Sequence, residues 1–192
     1  MDYYEPHLAI HEAGHVIARM IDLYGIAGQV DFIKISIDED HGGTVNANPM
    51  FTDEELRNFN LESYPDLEFT RRQLMKEAVI NVGGVAAECV LNNRPLPDLT
   101  SSKEDDIGSD LTKFQIYCRN ILKTQGIDAS SPSFFIDMKK LNLKLFQAAL
   151  GIFKTEKCKT ATLFLVESLE SEKVFTGSKL RVIVEEIRRL LN

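Results

Sequence analysis

The chain has 192 residues, enough for one domain with a substantial core, and its 22 Lys and Arg against 29 Asp and Glu leave a net charge of −7. Scattered charges on an acidic chain read as a solvated surface with no general attraction to nucleic acid. Three widely spaced cysteines, Cys89, Cys118 and Cys158, with no CxxC pair, argue against a disulfide framework and for a reducing compartment.

The N-terminal stretch MDYYEPHLAIHEAGH has acidic residues where a signal peptide carries basic ones, and no unbroken apolar run. Residues 5–24 read as a helix, with Pro6 in its first turn and Gly25 just past its end. QVDFIKISI follows in the apolar–polar alternation of a strand, DEDHGG is a turn, and TVNA returns as a second strand. Residues 53–60 open as an acidic helix that Pro65 interrupts, and residues 66–92 read as one long helix. That helix holds the longest apolar run, AVINVGGVAAECVL, which contains Asn81 and Glu88 and falls short of the roughly 20 apolar residues that cross a bilayer. It reads as a buried helix, and the protein as cytoplasmic with no membrane segment. The polar, proline-containing stretch 92–109 is a loop, and 110–124 is helical again. Three more helices are expected at roughly 132–153, 157–171 and 177–191, with FTGSKL breaking the last two. No repeat, low-complexity tract or linker divides the chain. The expected class is mainly α, with a small β-hairpin or sheet beside the first helix.

That first helix carries two of the four histidines. In AIHEAGHVIA, His11 and His15 are one helical turn apart and share a face, and Glu12 follows the first directly. Two neutral imidazoles so placed can bind one zinc ion, and a glutamate beside them can take a proton from a water on that ion. A catalytic site needs a third protein ligand. His7 extends the stripe but lies about 12 Å from His15 along a straight helix, while ligand nitrogens sit about 2 Å from zinc; it reads as solvated or helix-capping. His41 lies in the turn and reads as exposed. The metzincin pattern is absent, because Ala18 and Ile21 stand where it needs Gly and His. A carboxylate is therefore required. Glu88 offers one on the apolar, glycine-lined helix, and Glu104, Asp105, Asp106 and Asp110 offer others in EDDIGSDLTKF. Spacing alone does not choose among them.

The chain resembles the peptidase domain of the FtsH family of ATP-dependent zinc metalloproteases over nearly its whole length. AIHEAGHVIA is similar to that family's zinc helix, VDFIKISIDEDHGGTV to its strand pair and VINVGGVAAECVL to its glycine-pair helix. IGSDLTKFQIYC resembles its third-ligand segment, and LVESLESEKVFTGSKL its C-terminal helices. The resemblance implies His11, His15 and Asp110 as ligands of Zn2+, Glu12 as general base, and Glu88 as a residue that orients a ligand histidine. The chain departs from the family at Val85, where Arg is usual, at Cys89, which replaces an acidic residue, and in a longer loop between Glu88 and Asp110.

The family couples this domain to an AAA+ ATPase and works as a hexamer. Here ten residues precede His11 and no phosphate-loop motif occurs. The expectation is a zinc metallopeptidase that cuts unfolded or short polypeptides without ATP, as a homo-oligomer or beside an ATPase partner in trans. The alternative is an inactive zinc-binding regulatory or scaffold subunit.

Overall fold

The computed structural model describes residues 5–38, 42–99 and 110–192. Helix α1 (Glu5–Met20) leads into the strands β1 (Phe32–Asp38) and β2 (Gly42–Ala47). The short helix α2 (Asp53–Arg57) and a 3-10 turn (Leu61–Ser63) precede α3 (Leu67–Asn81) and α4 (Gly83–Leu91). After α5 (Asp110–Lys123) come α6 (Phe134–Phe153), α7 (Glu156–Ser171), a third strand β3 (Val174–Thr176) and α8 (Gly177–Leu191). The described chain is mainly helical, with one antiparallel sheet in the order β2–β1–β3. Among the described residues no helix is long and apolar enough to cross a membrane.

Helix α1 is the axis of the fold. Ala13, Val16, Ile17 and Ala18 are wholly buried, because α4 and α7 pack on it and the sheet lies alongside. The core continues through Leu145, Phe146 and Phe153 of α6, Leu165 and Leu169 of α7, and Ile187 of α8. Local chemistry starts several helices. Thr52 and Glu55 form a reciprocal capping box at α2, Asp66 accepts from the Phe69 N–H at 2.9 Å at α3, and Thr155 caps α7.

Three boundaries differ from those expected. The first helix ends at Met20 rather than at residue 24. Beyond it, Leu23 and Ile26 exchange backbone hydrogen bonds across Tyr24 and Gly25, both with positive φ. Gly25 thus serves a tight turn rather than a helix end. Lys76, fully buried on α3, donates to the carbonyls of Ile26 and Ala27 and pins this loop. Second, the helix expected over 66–92 breaks at Val82 (φ −100°, ψ 4°), which re-aims α4 onto α1. Third, FTGSKL is not only a break. Val174–Thr176 pairs with Ser36–Lys34 of β1 as the third strand.

The α1–α4 contact is made by small residues. A Cβ on Gly14 would lie 2.5 Å from the Gly83 carbonyl and 2.8 Å from the Ala87 Cβ, and one on Gly83 would lie 2.9 Å from the Ala18 Cβ. The backbones meet directly, and there is no flexible side chain to give way. We expect Gly14→Ala to destabilise the protein by about 1–3 kcal/mol, the usual cost of overpacking, read as a melting temperature lowered by about 2–4 °C per kcal/mol.

Candidate metal centre

The α1–α4 crossing sets His11 over the backbone of Gly84, where a Cβ would come within 2.7–2.8 Å of the imidazole. Behind the ring, His11 Nδ1 donates to Glu88 Oε1 of α4 at 2.6 Å. His15 Nδ1 lies 2.8 Å from the Ile80 carbonyl, which can only accept, so that nitrogen carries the proton. These two bonds turn both Nε2 atoms toward the same point, where Asp110 arrives as the first residue of α5. Its Oδ2 lies 3.0 Å from His11 Nε2 and 3.1 Å from His15 Nε2, and the two nitrogens are 3.1 Å apart.

This nearly equilateral triangle of two imidazole nitrogens and a carboxylate oxygen is a group that could hold a metal ion. Metal–ligand bonds of about 2.0–2.1 Å give a tetrahedral edge of about 3.3 Å, within a few tenths of the observed spacings. The two nitrogens and one oxygen suit zinc, and each histidine has the partner for its other ring nitrogen that ligand histidines need. The residues present therefore fit the ion.

Burial alone would lower the His11 pKa, but hydrogen bonds to Asp110 and Glu88 and the nearby negative charges push it up to about 10. For His15 burial is likewise outweighed, chiefly by the Asp110 charge. Burial would raise the Asp110 pKa, yet the His15 charge and hydrogen bonds from both histidines hold it well below the usual carboxylate range. For Glu12 burial wins over the neighbouring histidine charges, and its pKa rises.

Glu12 is 6% exposed and lies against β2. A Cβ on Gly43 would stand 2.2–2.4 Å from its side chain, so only a glycine lets the strand come this close. Gly43, Thr44, Val45, Asn46 and Ala47 form one wall of a cleft of about 1210 Å³ that contains His11, Glu12, His15 and Asp110. Farther along the cleft, Arg19 of α1 (4% exposed) and Glu77 of α3 (2% exposed) face each other at 3.5 Å. Arg19 also donates to the Asn48 carbonyl, and Glu77 accepts from the Met50 N–H at 3.3 Å. The buried pair thereby fixes the chain that leaves β2.

Of the residues singled out in the sequence, His11, Glu12, His15, Glu88 and Asp110 converge, with Glu88 behind His11 rather than at the triangle. His7 is exposed in the first turn of α1 and hydrogen-bonds the Asn92 side chain at 2.9 Å. His41, Glu104, Asp105 and Asp106 lie outside the described residues. Sequence reasoning missed Gly43, Arg94, Arg19 and Glu77. The last two left a signal, as charges inside the apolar runs HVIARMI and MKEAVI. No protein-family model matches the chain, and no curated protein matches it.

We expect Asp110→Asn to lose zinc readily to a chelator, while Glu88→Gln weakens zinc by about 10–100-fold, as loss of a ligand's hydrogen-bond partner does. The reverse ranking in a competition titration would make Glu88 the ligand. We also expect zinc uptake at pH 7 to release protons, because His11, whose pKa is pushed up to about 10, must be neutral to bind. Affinity then falls as pH falls. Calorimetry in buffers of different ionisation enthalpy counts the protons, and an uptake independent of buffer would contradict the assignment.

Proposed function

We propose that the protein is a zinc-dependent metallopeptidase of the FtsH-like type, hydrolysing peptide bonds in unfolded or short polypeptides. The observation that carries this reading is the convergence of His11, His15 and Asp110 with a buried Glu12 at one end of an open cleft. The motif alone placed three of these on one helix; the carboxylate from α5 supplies the third donor that a catalytic zinc site needs.

The cleft wall favours an extended chain as substrate. In the order β2–β1–β3, one edge of β2 has no partner strand among the described residues, and Thr44–Ala47 of that strand line the cleft. A polypeptide laid along it gains main-chain hydrogen bonds whatever its side chains, while a folded domain cannot present such a segment without the 5–15 kcal/mol or so of unfolding.

His11, His15 and Asp110 would hold the zinc ion, which would supply Lewis acidity for a water and for the scissile carbonyl. The chain's residues do the rest. Glu88 and the Ile80 carbonyl fix the two imidazoles so that both Nε2 lone pairs face Asp110. A Glu12 carboxylate oxygen takes a proton from the attacking water as its oxygen bonds to the carbonyl carbon. The same oxygen gives the proton to the amide nitrogen as the C–N bond breaks. Burial, which raises the Glu12 pKa, brings its affinity for that proton toward neutrality, where a group that takes and returns one works best.

Glu12→Gln separates the proton step from the fold. Because the folded-state pKa of Glu12 is raised, charging this carboxyl costs stability once pH exceeds its unfolded value. We expect the variant to keep zinc, to melt above the parent when metal-free at pH 7, and to lose peptide hydrolysis by about 10²–10⁴-fold. Equal turnover by parent and variant would remove Glu12 from the mechanism. A parent that binds zinc and cuts no peptide would favour the scaffold reading.

A further inference from the structure

We propose that Arg94 is a positioning residue for the metal centre, setting its affinity by holding Glu88 in place behind His11. The inference rests on the metal-site reading above, but not on the centre being a peptidase. Glu88 is 5% exposed in the middle of α4 and uses its two oxygens in opposite directions. Oε1 accepts from His11 Nδ1 at 2.6 Å, and Oε2 accepts from Arg94 Nη1. A carboxylate with one donor on each oxygen cannot rotate without breaking a charged hydrogen bond.

The chain is built to bring Arg94 there. Helix α4 ends at Leu91, and Asn93 adopts a positive φ of 53°, a conformation that Asn tolerates better than most residues. The turn carries residue 94 back over the helix end, where its own N–H also points to the Glu88 carbonyl at 3.4 Å. Arg94 thus holds Glu88 by side chain and backbone. Its side chain is half exposed and lines the cleft, so it closes the outer side of a relay that runs Arg94, Glu88, His11 and the metal.

Glu88 without Arg94 would be a buried carboxylate with one oxygen unsatisfied, free to swing toward other donors and to release the His11 ring. Arg94 also exerts a direct electrostatic effect of the opposite sign, since a positive charge near a metal dication repels it. The two roles predict opposite signs. Positioning means that removing Arg94 weakens the metal, whereas repulsion means that removal strengthens it.

The test is a double-mutant cycle on zinc affinity, read by competition with a chromophoric chelator. Arg94→Gln should weaken zinc about tenfold, the lower end of the range for partners of ligand histidines, and Arg94→Lys should recover part of the loss. In a Glu88→Gln background, Arg94→Gln should change affinity no further, because the two act through one path. Unchanged or tighter zinc in Arg94→Gln, or an equal loss in both backgrounds, overturns the proposal. A metal-free readout keeps it separate from the zinc reading. The low-field proton NMR signal of the His11 Nδ1–H should move or broaden in Arg94→Gln and stay in place in a control such as Arg71→Gln, whose guanidinium pairs with Glu68 on α3 and does not line the cleft; an unmoved signal in Arg94→Gln counts against the relay.

Discussion

The site depends on one close approach. Gly14 of α1 lies against Gly83, Gly84 and Ala87 of α4 at distances that leave no room for a Cβ. At that separation a buried glutamate on α4 can reach a histidine on α1, and the histidine can lie flat on a glycine. Had either helix carried larger residues at the crossing, the axes would sit farther apart, as ordinary interhelical packing requires. The Glu88–His11 hydrogen bond would then be out of reach. The break at Val82 belongs to the same design, since a single straight helix over 67–91 would send α4 in the direction of α3 and leave the Ile80 carbonyl, the partner of His15, inside a continuous hydrogen-bond ladder.

The cleft is also an arrangement of buried charge. Glu12, Glu77, Glu88 and Arg19 are all nearly inaccessible to water. Arg19 and Glu77 offset each other and satisfy backbone groups at Asn48 and Met50. Arg19 also faces Asp31 at 3.5 Å, so it is removal of Arg19 that would leave the buried Glu77 carboxylate without its ion-pair partner, at about 3–5 kcal/mol. Glu88 is neutralised from both sides. Glu12 and Glu77 both have neighbours that only partly offset their burial, so both carboxyls sit above their ordinary pKa, but Glu77 faces a buried arginine while Glu12 faces the histidines of the triangle.

The sequence was most legible where spacing carries the chemistry. His11, Glu12 and His15 are fixed by one helical turn, and the amphipathic runs locate α5 through α8 within a few residues. The third donor could not be read from spacing, because Asp110 comes from a different helix 95 residues beyond His15; only the family resemblance singled it out. Periodicity also ran 66–92 together as one helix, since both sides of Val82 are apolar and helical. Val174–Thr176 was missed because three residues are too few to show an alternation, and the strand exists only through pairing with β1. Gly43 could not be found at all, for its role is to have no side chain where Glu12 needs space.

Every residue of the candidate centre and of the cleft around it precedes the end of α5, which invites shortening the chain to that point. The third strand forbids it. Val174–Thr176 covers the inner edge of β1, the Ile37 N–H bonds to the Lys173 carbonyl, and α7 packs along α1. A fragment ending after α5 would bare both edges of a two-stranded ribbon together with the apolar flank of the histidine helix. Exposed edges of that kind join to other copies, so a trimmed protein would be prone to aggregate. The distal helices are part of what keeps the centre soluble and in shape.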